Sequence, residues 1–388
     1  MADKKIIKLN RKRNKKLAKK IFVMLRIPIV ILAVAAALFL SARLLGNVAV
    51  SNITDGVREI KTVFSRGEGF PYSLESMNYR KVTSIGNNPF VLYEDSSVVL
   101  SSSAGEFFSS NISYADSKVI TKNGRALIFS NSSNEVLLQS KTEILGSVSE
   151  DGTVVTAALA DNGYFATSYS SDEYQSILSV YNRRFEKVFQ WNCSQERIAD
   201  ISFSGNGRNL VVAAVGAQNA EIYTRLLVFN IGDNEPKVDK KYSGTLFLRA
   251  AYTDSNKIIA AGDNRTVVLT KDGEPIDELV YSQDSITAIC IDGSGNTVIC
   301  YEEFGGSKTG IVRFSQSGKK TCSFAVEGIP DCVAAEGGRI AVANDNEITV
   351  YTSNGKESRK TETENPVSDM FYCSGDIYAV ENGVLYKY

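Results

Sequence analysis

Four charged residues stand second in a phrase that recurs along the chain: Asp200 in ADISFS, Arg249 in LRAAYT, Asp331 in PDCVAA and Asp369 in SDMFYC. If these phrases are equivalent strands, three carboxylates and one guanidinium converge at a single mouth. That set suits a cationic or polyhydroxylated ligand, or the basic loop of a partner protein. The competing reading is local, because Asp at the start of a strand commonly accepts backbone N–H groups and needs no ligand to explain it.

Other chemistry is limited by what the 388 residues lack. There is no histidine, which removes Ser-His-Asp and Cys-His nucleophiles, histidine general bases and histidine-ligated metals together. Six cysteines (Cys193, Cys290, Cys300, Cys322, Cys332, Cys373) show no CxxC spacing, so neither a zinc site nor a thioredoxin-like motif is signalled. An even number permits disulfides outside the cytoplasm. Runs such as TAICID and TVICYE instead place cysteines inside apolar strands, as free buried thiols. GGSKTG at 305–310 lacks the order of a phosphate loop and reads as a hairpin. DGSGN at Asp292 lacks the twelve-residue calcium pattern and reads as a turn. No cofactor and no metal are expected. Enzymatic action would have to come from paired carboxylates on a polysaccharide, the alternative to a binding role.

The elements that would position the four charges form a repeat. A strand, a glycine turn and a second apolar strand recur in TAALADNGYFATSY, ADISFSGNGRNLVVAAV, TAICIDGSGNTVICYE, PDCVAAEGGRIAVA and SDMFYCSGDIYAVE. Their turn glycines, Gly163, Gly207, Gly295, Gly338 and Gly375, are spaced 44, 88, 43 and 37 apart. The double step hides LRAAYTDSNKIIAAG, in which Asn256 takes the glycine's place; Asn is the next most tolerant residue of a positive φ. Third strands follow (SILSVYN, RLLVFN, TVVLT, GIVRFS, EITVYT, GVLYKY), most leading through a hairpin such as KDGEP or QSGKK into a polar fourth. Four strands in about 40 residues is the period of a propeller blade. Weaker copies begin at Val82 and Ile112. The sequence therefore predicts an all-β propeller over residues 71–388 with eight blades, or seven if the weak copies share one. The last copy ends after three strands, so a strand near residues 72–79 is expected to supply its fourth and close the ring.

Charge is divided unevenly. Residues 1–45 carry 12 Lys/Arg against one acid, and the remainder holds 31 bases against 43 acids. An acidic body repels a phosphate backbone, so nucleic acid is excluded as a partner. Residues 1–20 read as a basic cytoplasmic tail and 21–45 as one transmembrane helix, with Arg26 and Arg43 reaching opposite interfaces. Bases before the span and almost none after it place the N-terminus in the cytoplasm and the rest outside. Cleavage as a signal peptide is the other reading, but SARLLGNVAVSN offers no good small-x-small site. Residues 46–70 form a juxtamembrane stalk, in which Val57, Ile60 and Phe64 fall at helical spacing.

The phrases DNGYFATSY, SILSVYN and ISFSGNGRNLVVA resemble those of bacterial membrane-anchored β-propeller proteins of unknown function, with a basic cytoplasmic tail, one N-terminal membrane helix and a WD-like or quinoprotein-like ectodomain. The likeness spans nearly the whole chain. It departs from the WD and quinone-binding types in having no WD dipeptide and a single tryptophan, Trp191. The resemblance implies a place in the cell envelope and brings no functional residues. Together these readings lead to a membrane-tethered, extracytoplasmic, non-catalytic scaffold for a protein or glycan of the envelope.

Overall fold

Segments dense in β-branched and aromatic side chains, such as NLVVAAV and RLLVFN, pair as antiparallel strands because each must bury both faces between neighbouring sheets. The computed structural model describes residues 67–74, 78–283, 285–303 and 305–388. The basic tail, the apolar segment with Arg26 and Arg43, and the stalk up to residue 66 lie outside the described residues. Among the described residues, no helix is long and apolar enough to cross a membrane.

Eight four-stranded sheets make an eight-bladed propeller. The first strands of blades 1 to 8 are Tyr79–Ile85, Ser117–Lys122, Val154–Leu159, Arg197–Phe203, Phe247–Tyr252, Ile286–Ile291, Cys332–Glu336 and Val367–Cys373. The two weak copies each form a complete blade, so the count is eight. First strands pack on one another between successive blades from 1 to 5, from 6 to 8 and from 8 back to 1, and so ring the axis. Fourth strands such as Glu357–Glu362 lie at the solvent rim. Apolar clusters fill the interfaces between blades. One joins Phe203, Leu210 and Phe229 of blade 4 to Ala166, Leu178 and Val180 of blade 3, and burial of this kind supplies most of the drive to fold.

Turn chemistry follows the sequence. Asn256 has φ 55° where its counterparts Gly207 and Gly295 have 66° and 84°. The side-chain amide that fits Asn to this region lets the turn of blade 5 close without glycine. The ring closes as expected but with a shorter strand: Tyr72–Ser73 pairs antiparallel with Val384 and Leu385. Pro71, which has no N–H to donate, stands directly before it. The Leu74 N–H donates to the Gly383 carbonyl at 2.9 Å. Leu74 is buried between blades 8 and 1, and the hydroxyl of Tyr72 donates to Glu106 at 2.5 Å.

Strand alternation fixes which turns share a face. First strands start, second-to-third turns fold back and fourth strands end on one side, the mouth face. Turns from first to second and from third to fourth strands lie on the opposite, far face.

Candidate binding surfaces on the two faces

At the mouth, register decides which of the four charges are equivalent. Each first hairpin closes at a defined pair: Ser204 with Asn209 in blade 4, Thr253 with Lys257 in blade 5, Glu336 with Arg339 in blade 7, Cys373 with Asp376 in blade 8. The fourth residue before each closing pair is Asp200, Arg249, Cys332 and Asp369. Asp331 therefore stands one residue outside the ring. Blade 7 turns at Gly337–Gly338 one residue sooner than blades 4 and 5, which shifts an alignment made on the glycines. The same count gives Lys81 in blade 1, whose hairpin closes at Ile85 and Asn88.

Two of the carboxylates bridge to the following blade. An Asp200 oxygen accepts the N–H of Ala250 at 2.7 Å and lies 3.4 Å from Arg249 Nε. Asp369 receives Lys81 Nζ at 2.8 Å and, more weakly, the Val82 N–H at 3.4 Å. Both carboxylates are sunk, at 13% and 16% exposure, while Arg249 and Lys81 are half open at 54% and 52%. Burial pushes the Asp200 carboxyl above the usual range, and this outweighs the opposing pull of Arg249 and the Ala250 N–H. Asp331 accepts the N–H of Asp345 at 2.9 Å and so caps a turn of its own blade. The structure thus brings together Asp200 with Arg249 and Asp369 with Lys81, a partner that the aligned phrases missed because the copy in blade 1 carries a base. Burial lifts the Cys290 thiol to about 11, against a smaller opposing pull from Lys81 and Arg249.

All six cysteines are unpaired thiols. Asp292 spends its carboxylate on its own turn, accepting the N–H groups of Ser294 and Asn296. The 305–310 segment turns from the second to the third strand of blade 6, with Lys308 held by Glu327 at 2.9 Å.

Blade 4 differs from its neighbours. Its second and third strands, Asn209–Gln218 and Glu221–Asn230, have ten residues each and extend above the mouth face. Beneath that hairpin, buried Glu196 accepts from the thiol of Cys193 at 3.0 Å, the hydroxyl of Tyr223 at 2.9 Å and Arg225 at 3.2 Å. Burial works against this carboxylate's charge, but the three donors outweigh it and hold the group below the usual range.

On the far face, turns of blades 3 and 4 border an open cavity of about 690 Å³. Two turns there repeat an N-x-R pattern. Asn182 Oδ1 accepts the backbone N–H of Arg184 at 2.8 Å, and Asn206 Oδ1 accepts that of Arg208 at 3.0 Å. The Arg183 Nε–H donates to the carbonyl of Asn162. Arg183, Arg184 and Arg208 line the cavity with Tyr164 and Ile231, and no acid is among its described lining residues. The signal was present in the sequence as NRR and NGR, one in each type of far-face turn, but only the packing of blades 3 and 4 joins them.

In sequence, the model of a family of unknown function (DUF5711) matches residues 70–384. No curated protein matches the chain in sequence. In fold it is similar to Sqt1 of Saccharomyces cerevisiae, with TM-score 0.59 and 10% identity over 83% of this chain and 99% of that one. BamB of Moraxella catarrhalis gives TM-score 0.52 and 10% identity, covering 82% and 99%. Apo AztD of Citrobacter koseri gives 0.51 and 11%, covering 74% and 86%. At these identities the likeness shows the fold alone.

Proposed function

The chain belongs to the family of unknown function DUF5711, and from that premise we propose that it is a non-catalytic interaction scaffold, held outside a membrane by its N-terminal segment and binding an envelope partner on its mouth face. The tether rests on the basic run and apolar stretch of residues 1–45. The observation that carries the binding role is the distribution of exposed apolar side chains. Ile222 on the long hairpin of blade 4, Leu248 at the start of blade 5, Val280 at the end of its fourth strand and Ile329 just before blade 7 are all exposed and all lie on the mouth face. Apolar side chains beside half-open cations, here Arg249 and Lys81, make the mixed surface of a protein interface. In this reading Asp200 and Asp369 hold the cations in place, and Asp331 shapes the neighbouring rim.

The test is site-directed photocrosslinking of the full chain in its own membrane, with the probe at Leu248 or Val280 and, as controls, at the far-face positions Ile144 and Ile276. One discrete adduct from the mouth positions, absent from the controls and lost in Ile222→Asp, is expected. Equal adducts from both faces would overturn the proposal. For the tether, protease added outside cells stripped of any wall should degrade the body and spare residues 1–20. Release of an intact, shortened body into the medium would instead indicate cleavage.

A further inference from the structure

The body of this protein carries 31 bases and 43 acids after residue 45, yet the cavity between blades 3 and 4 shows three arginines and no carboxylate among its described lining residues. We infer that this far-face cavity is a binding site for an anionic sugar, one bearing a carboxylate or phosphate on a ring-sized body. This site lies on the face opposite the mouth, apart from any anchor and from whatever the mouth binds.

The acids nearest in sequence are turned to other tasks. Glu186 accepts from Asn182 Nδ2 at 2.7 Å, Asp233 accepts from Asn230 Nδ2 at 3.0 Å, and Asp161 pairs with Lys122 at 3.2 Å. Among the described residues, no carboxylate pairs with Arg183 or Arg208. Two guanidinium-bearing residues thus line one cavity with no carboxylate partner among the described residues, an arrangement that favours an anion joining them. The arginine backbones are also set in place. The two asparagine caps fix Arg184 and Arg208, and the bond from Arg183 to the Asn162 carbonyl orients that guanidinium while leaving its terminal amino groups for other acceptors. Gly207 lets the turns of blades 3 and 4 meet: at φ 66° a Cβ there would clash with the Asn162 side-chain amide.

Class of ligand follows from fork geometry and size. Guanidinium groups match the two oxygens of a carboxylate or phosphate. At about 690 Å³ the cavity is in the range of small-molecule sites, far larger than an isolated oxyanion requires. Tyr164 and Ile231 give it the apolar wall against which the face of a sugar ring packs.

Binding to the full-length chain is measured by titration calorimetry with four probes: digalacturonate, glucose 1-phosphate, inorganic phosphate and maltose. Saturable binding of at least one of the first two, tighter than of the last two, is expected. Arg208→Ala should weaken it by about tenfold, and Arg208→Lys, which keeps the charge but loses the fork, by less. The two anionic probes distinguish a uronate from a sugar phosphate. Maltose binding as well as either would show that charge is irrelevant. Inorganic phosphate binding as well as glucose 1-phosphate would show that the sugar is. Either result, affinity unchanged in a well-folded Arg208→Ala, or no saturation by either anionic sugar up to about 10 mM, overturns the inference.

Discussion

Cations and carboxylates at the channel mouth answer one another across neighbouring blades, whereas the groove between blades 3 and 4 displays cations with no anion among its described lining residues. Both places look charged in the sequence, and the structure separates them by partnering. A carboxylate that bridges to the next blade's backbone does structural work, and the charge it neutralises is no longer available to a ligand. Arg208, whose backbone is capped and whose head meets no acid among the described residues, remains available. The lesson is that the count of charges at a place says less than the count of charges left over.

The largest expected effect removes the ring on which both regions depend. A chain beginning at residue 66 should unfold cooperatively. One beginning at residue 78, without Tyr72–Ser73 and Leu74, exposes the edge of blade 8 and should melt lower by roughly 5 °C or more and aggregate. Equal melting of the two would mean that closure contributes nothing.

Next, the two regions should differ in what mutation costs. Asp200→Ala strands the Ala250 N–H and the Arg249 charge, a loss of about 2 kcal/mol in urea unfolding. Arg208→Ala removes a side chain with no hydrogen-bond or ion-pair partner among the described residues and should change stability by less than about 0.5 kcal/mol. If the two costs were alike, the contrast between mouth and groove would fail.

Acid titration sharpens the comparison within the mouth face, because two carboxylates carry opposite signs. Glu196 is held below its unfolded value of about 4.3, so its stabilisation is complete above that pH and is lost as pH falls through the lower folded value. Asp200 is held above its unfolded value of about 3.9, so its contribution is complete below that pH and is lost as pH rises through the higher folded value. Comparing stability from pH 3 to 7, Glu196→Gln should flatten the acid decline and Asp200→Asn should steepen it. The same direction of change in both variants would contradict the assignments. Smallest of all is Asp331→Asn: the amide oxygen still accepts from Asp345, and stability should stay within about 0.5 kcal/mol of the unmodified chain.

Much of this architecture was legible because propeller turns punish the wrong residue. Gly163, Gly207, Gly295, Gly338 and Gly375 all adopt positive φ, so their spacing set the blade period, and Asn256 kept that spacing by the same backbone logic. Closure was legible from a blade with three strands, although the closing strand is two residues rather than a longer run. The mouth was only partly legible. Turn length differs between blades 4 and 7, so a glycine alignment put Asp331 where Cys332 stands. Lys81 escaped notice because opposite charges do not align as a motif even when they meet. The groove was not legible at all as a site, since NRR and NGR are ordinary turns until neighbouring blades set them side by side.

The strand that closes the ring is also the chain's point of departure toward its first 66 residues. Any load those residues carry reaches the propeller first at Gly67–Gly69, where the Gly69 N–H bonds the Ser103 carbonyl of blade 1 at 3.0 Å, and then at Tyr72–Ser73, where two residues pair with the end of the chain and Leu74 is wedged between the last blade and the first. A pull there works on these few bonds before it reaches the inter-blade cores. The molecule thus has a built-in order of mechanical failure, with the bond from Gly69 to Ser103 and then the latch between Tyr72 and Leu385 opening first, and the inter-blade cores behind them spared until the latch is gone.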